Sequence, residues 1–210
     1  MTTSITANSA VTKVVRFVVD KGIKGVPPLS SASDLAQEYL LDQSYSDNDS
    51  RVASLIRWET AKNFTSGFLT GLGGVVTMPI AVPAALGASW IVQARMAGAI
   101  AQIYGHRLSS DRVRTFVLLS LAGDSAKDIM KEAGIKVGRK LAERAIAQVP
   151  GRALIEINKY IGFRLITKAG EKGIINLSKA VPIAGGLVGG SMDALACRVV
   201  GRTAKQLFKR

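Results

Sequence analysis

The chain holds one histidine, His106, and one cysteine, Cys197, and these two counts limit its chemistry at once. A zinc site draws three or four ligands from Cys, His and carboxylates. The 15 Asp and Glu residues form no clustered motif that would make up the difference. No metal or other cofactor is expected. His106 is the one side chain whose ordinary pKa lies near neutrality. It precedes Ser110 and Asp111 closely enough for a dyad that works as nucleophile or general base. A solvent-facing residue at a helix end, where the dipole favours a cation, explains the same placement and is the expectation. Gly134-Ile-Lys-Val-Gly138-Arg-Lys140 looks like a phosphate-binding loop, but it is one residue short and no Ser or Thr follows Lys140. These residues predict a protein that is not an enzyme.

The cations carry more information. The formal net charge is +13. Residues 1–94 hold seven basic and seven acidic groups, so the whole excess falls in residues 95–210, with 21 basic and 8 acidic. Such asymmetry points to an anionic partner. Arg198, Arg202, Lys205 and Lys209 recur at helical spacing, with Ala196, Val200, Thr203 and Leu207 on another side. Lys136, Lys140 and Arg144 make a second, shorter stripe. Near an anionic bilayer each such group is worth about 1 kcal/mol of attraction. Nucleic acid is disfavoured as a partner, because aromatic residues are 6% of the chain and no stacking or recognition motif appears.

Residues 63–94 contain no Asp, Glu, Lys or Arg. As one straight helix this run would be roughly 48 Å long, more than a ~30 Å hydrocarbon core requires. Pro79 and Pro83 divide it, and each costs about 3 kcal/mol inside a helix. The arms, residues 63–78 and 84–94, are then only about 24 Å and 17 Å. Neither spans a bilayer, so a buried helical hairpin over 63–105 is expected, with conditional insertion as the second option.

The elements that would position these groups read as helices almost throughout. Val11, Val14, Val15 and Val18 predict a first helix ending near Gly22 or Gly25, and Pro27-Pro28 breaks the chain. Ser31 or Ser33 caps a helix over 34–43, and Asp47 or Asp49 caps another that begins near Arg51 and carries Val52, Leu55, Ile56 and Glu59. Further helices are predicted over about 84–105, 111–122, 125–148, from Leu154 through Leu165, and 185–209. The 125–148 segment presents Ala126, Met130, Ala133, Val137, Leu141 and Ala145 as one apolar stripe. Strand alternation and hairpin turns are missing. The expected fold is all-α: a single compact domain of about seven to nine helices around the Pro-split apolar hairpin. Residues 1–30 form its N-terminal helix and linker, and 31–210 the main body.

A weak internal echo runs at an offset of 103 residues. Pro79-Ile-Ala81 matches Pro182-Ile-Ala184, and in the same register Gly87, Arg95, Gly98 and Ala101 match Gly190, Arg198, Gly201 and Ala204. Proline followed by small residues suits two equivalent helix starts that let backbones approach closely. Four Gly pairs at i, i+4 spacing, among them Gly186 with Gly190, extend that pattern.

Together, the uncharged Gly-rich run with Pro79 and Pro83, the segment from Gln93 through Arg95, Gly98 and Tyr104 to Gly105, and the segment from Val181 through Pro182, Gly186 and Gly190 to Asp193 and Arg198 resemble the EcsC family of bacterial proteins. The resemblance covers about residues 50–210. It implies a helical, membrane-associated bacterial protein and carries over no catalytic residue. Residues 1–24 do not read as a signal peptide, because Lys13, Arg16, Asp20 and Lys21 interrupt the apolar positions. The expectation is a non-enzymatic cytoplasmic protein bound peripherally at the inner membrane face, its partner an anionic phospholipid surface or a membrane protein. A toxin-like pore former, or a scaffold for a membrane protein, is the alternative.

Overall fold

A computed structural model describes the backbone of residues 2–64, 84–135, 143–177 and 184–209, and the side chains of 12–62, 87–135, 146–165, 167 and 194–209. Among the described residues there are nine α-helices and no strand. They are α1 Thr2–Lys24, α2 Ala32–Leu41, α3 Asn48–Phe64, α4 Ala84–Ile103, α5 Asp111–Ser120, α6 Ala126–Glu132, α7 Glu143–Gln148, α8 Gly151–Leu177 and α9 Ala184–Phe208, with a 3-10 turn at Gly123–Ser125. The all-α expectation holds.

The centre is α4. Every residue from Gly87 to Ala101 is buried, as a helix that is apolar all round must be. It packs against α1, α2, α3, α5 and α9. Small residues make that crowding feasible. A Cβ on Gly22 of α1 would lie 2.6 Å from Ala94 Cβ and 3.1 Å from the Arg95 nitrogen, and one on Gly98 would lie 3.0 Å from Ala32 Cβ. The C-terminal arm of the expected hairpin is therefore core. Its turn at Pro79 and Pro83, and most of its other arm, lie outside the described residues.

Local signals fix several boundaries. Ser31 caps α2: its Oγ accepts from the Asp34 amide at 3.0 Å, and the Asp34 carboxylate accepts from the Ser31 amide at 3.1 Å. This reciprocal pair satisfies two otherwise orphaned donors. Asp47 does the same work before α3, accepting from the Ser50 amide at 2.7 Å. After α4 the chain turns through Gly105 at φ +83°, a conformation that favours glycine.

The single helix expected over 125–148 is not formed. α6 stops at Glu132, and Gly134 takes φ +77°. A left-handed residue ends a helix whatever the apolar spacing around it. Ala126 and Met130 are buried as expected, Ala133 is half-buried, and Val137 and Leu141 lie outside the described residues. Gly134 and Ile135 thus lie beyond the end of α6, and residues 136–140 fall outside the described residues.

Candidate functional site

The last helix and Lys209 just beyond it supply four of the seven expected partner-binding cations, and the packing there decides which of them are available. Cys197, Val200, Ala204 and Leu207 recur along α9 at three- and four-residue spacing and are buried. Gly201 on the same side faces α3, where a Cβ would lie 2.8 Å from Ile56 Cγ1. Ala196, grouped with the apolar side by the sequence, is exposed; Cys197 takes its place in the core.

The basic stripe divides into two halves. In the lower half, Lys205 and Lys209 both approach Asp49 in the first turn of α3. Lys205 Nζ is 3.8 Å from Asp49 Oδ2 and 3.4 Å from its main-chain oxygen, and Lys209 pairs directly with Oδ2. Tyr104 donates its hydroxyl to Asp49 Oδ1 at 2.6 Å. Beside them Asn48 Nδ2 donates to the Ile103 carbonyl at 2.9 Å. Asp47, Asn48, Asp49, Ile103, Tyr104, Gly105 and Lys209 line an open cleft of about 380 Å³. The hydrogen bonds from Lys209 and Tyr104 hold the Asp49 carboxyl below its ordinary value of 3.8. Burial, and next the bond to that carboxylate, push Tyr104 above the ordinary 10.0.

His106 completes the lower tether, against expectation. It is buried at 7% exposure, and its ring lies 5.3 Å from that of Phe208. Its Nε2 is 2.8 Å from the Phe208 carbonyl oxygen. A carbonyl only accepts, so Nε2 carries the proton. Among the described residues His106 makes no hydrogen bond to Ser110 or Asp111. The ring is used to fix the end of α9 and does not face solvent.

In the upper half Arg198 and Arg202 are exposed, and among the described residues neither makes an ion pair. Leu195, three residues before Arg198 and seven before Arg202, lies on the same side of the helix, next to Arg202 in projection, and is 62% exposed. This is the one stretch of the stripe where cations and an apolar side chain share an open face.

The chain matches the model of the EcsC protein family over residues 3–210. It belongs to the EcsC protein family. No curated protein and no solved structure matches it.

The segments that carry the EcsC resemblance have distinct roles where they are described. Arg95 is buried in α4, with Nη1 3.3 Å from Glu59 Oε2, Nε 2.7 Å from the Ser30 carbonyl and Nη2 2.7 Å from Ser30 Oγ. Glu59 also meets Lys62 at 3.3 Å. Arg95 therefore ties α4 to α3 and to the chain before α2. The internal echo holds only in part. Gly98 and Gly201 both admit a neighbouring helix, but Arg95 is buried and its counterpart Arg198 is exposed. Lys136, Lys140, Pro79, Pro83 and Pro182 lie outside the described residues. Arg144 falls just inside α7, and Gly186, Gly190 and Asp193 fall inside α9; their side-chain surroundings are likewise undescribed.

Sequence reasoning missed the partners. Glu59 continues the buried Val52, Leu55 and Ile56 positions at i+7, i+4 and i+3, and a carboxylate on an apolar face signals a buried cation opposite. No comparable signal marks Asp49. Among the described residues no group of three or more His, Cys, Asp or Glu could hold a metal ion. No described helix is long and apolar enough to cross a membrane.

Proposed function

We propose that this EcsC-family protein is a non-enzymatic, peripheral membrane protein that sits on the cytoplasmic face of an anionic bilayer. The exposed upper half of α9 makes first contact. The observation that carries this reading is the open face shared by Leu195, Arg198 and Arg202, with neither arginine in an ion pair among the described residues. Two cations near an anionic surface supply about 2 kcal/mol, and an adjacent leucine gains by entering the headgroup boundary. Lys136, Lys140 and Arg144 add to the same attraction. The excess positive charge of residues 95–210 orients the approach. The non-enzymatic part of the reading is supported by His106, whose ring is committed to the Phe208 carbonyl.

The arm of the apolar hairpin in α4 is core, so lipid contact is assigned to surface helices and not to its extraction. The test is cosedimentation with vesicles of phosphatidylglycerol and phosphatidylcholine, or of phosphatidylcholine alone, at about 50 mM and 500 mM salt. The reading requires binding to the anionic vesicles that weakens with salt. Protein left in the supernatant at both salt concentrations sinks it. Release of a trapped dye would favour the pore-forming alternative over adhesion.

A further inference from the structure

We infer that α8 provides a second, inserting contact with the same bilayer, an assignment that rests on the peripheral-membrane reading above. Ala153, Ile157, Ile161 and Leu165 recur every four residues and are buried, and α8 packs against α1 and α5. On the outward side Arg152, Ile155, Lys159 and Phe163 recur at spacings of three, four and four, which places them in one stripe. Cation and apolar side chain alternate along it. Ile155 is 57% exposed and Phe163 65%. Tyr160 and Arg164, four residues apart, continue the face and are exposed as well.

The composition of this face selects its occupant. A solvated helix face has no use for an open Ile and Phe, and burying either one is worth about 1.5–3 kcal/mol. A second copy of the chain is a poor cover, since the face carries Arg152, Lys159 and Arg164 against the single acid Glu156 and would repel itself. Glu156 is already bridged to Lys159 at 2.9 Å, while Arg152 and Arg164 make no ion pair among the described residues. An anionic bilayer satisfies both sets of groups. Phosphates take the guanidinium and ammonium groups, and the acyl boundary takes Ile155 and Phe163, with Tyr160 suited to the interface between them. This differs from α9, where attraction is chiefly electrostatic: α8 adds the apolar share that salt does not screen.

The test uses the full chain with Phe163→Cys carrying a polarity-sensitive fluorophore, and Gln37→Cys, at an exposed position of α2, as the control. Cys197 is buried and does not compete for the label in the folded protein. With phosphatidylglycerol-containing vesicles, the probe at 163 should shift to the blue and be quenched by brominated acyl chains, and the probe at 37 should do neither. A probe at 163 that stays water-like while the protein cosediments overturns the α8 assignment and leaves the α9 reading standing. Failure to cosediment at all overturns both. A shift at 163 that needs no lipid and grows with protein concentration also overturns it, in favour of a protein–protein face. Independently, Ile155→Ser with Phe163→Ser should lower anionic-vesicle partition about tenfold or more with an unchanged unfolding midpoint. An unchanged partition would mean that α8 does not insert.

Discussion

Arg95 and Glu59 face each other at 3.3 Å with side chains only 6% and 2% exposed. The pair joins the central helix to α3, and Ser30 accepts two further bonds from the guanidinium. Removing Arg95 takes the buried cation from a desolvated carboxylate that keeps its contact with the half-exposed Lys62. Arg95→Met should cost about 3–5 kcal/mol in urea unfolding. The double variant Arg95→Met with Glu59→Leu should recover part of that loss, because it leaves no buried charge. A cost below about 1 kcal/mol for Arg95→Met would show that the pair is not desolvated as described.

Glycine at helix contacts gives a graded prediction. Gly22→Ala would press a methyl against the Ala94 Cβ at 2.6 Å and against main-chain atoms at 3.1 Å. For Gly201→Ala the three nearest atoms are all in the Ile56 side chain, the closest at 2.8 Å. Overpacking costs about 1–3 kcal/mol, more where backbone must move. The Gly22 variant should therefore be the less stable of the two, and Ile56→Ala should rescue the Gly201 variant but not the Gly22 variant. Thermal or urea midpoints of the four proteins check this.

The Asp49 cluster predicts a pH dependence with a definite sign. Its carboxyl is held below 3.8 by Lys209 and Tyr104. Between the lowered value and the ordinary one the unfolded chain binds more protons, so stability rises with pH there and is lost on acidification. The contribution is whole above 3.8 and disappears as pH drops through the lowered value. Tyr104 acts at the other end: raised above 10.0 by burial and by Asp49, its contribution is whole below that value and is lost as pH rises beyond it. The stability gap between wild type and Asp49→Asn, about 1 kcal/mol at neutral pH for a partly exposed cluster, should narrow as pH falls from about 5 to 3. A gap that widened on acidification would contradict the pairing.

The same carboxylate restrains two cations. Asp49→Asn should release Lys205 and Lys209 and raise affinity for anionic vesicles by about fivefold per cation set free, even as it weakens the tether. Sedimentation at low salt measures it, and an affinity no higher than that of the wild type would show that the lower half of the stripe plays no part at the membrane.

Much of this architecture was legible in the residues themselves. Ser31 with Asp34 announces the start of α2, and Gly105 announces the end of α4. The small, uncharged make-up of 84–94 announces that α4 has no solvent face. What stayed hidden depends on contacts far apart in sequence. Lys205 and Asp49 are 156 residues apart, and nothing local marks either as the other's partner. His106 looks like a surface residue by polarity alone, yet the Phe208 carbonyl, 102 residues away, supplies the partner that lets it be buried. The break at Gly134 was masked because Ala126, Met130, Ala133 and Val137 keep helical spacing straight across it. The helix from Leu154 through Leu165 was expected, but the sequence reading did not single out Ile155 and Phe163, whose exposure shows only once the packing face is known.

The most direct test of membrane docking by α9 is anionic-vesicle partition of Arg198→Glu with Arg202→Glu, beside Lys205→Glu with Lys209→Glu. Reversing two solvent-facing cations that make no ion pair among the described residues should lower partition by about tenfold or more and leave the unfolding midpoint unchanged, whereas the Lys205 and Lys209 pair should lower stability by breaking the Asp49 contacts. If the Arg198 and Arg202 variant partitions like the wild type, α9 does not face the lipid.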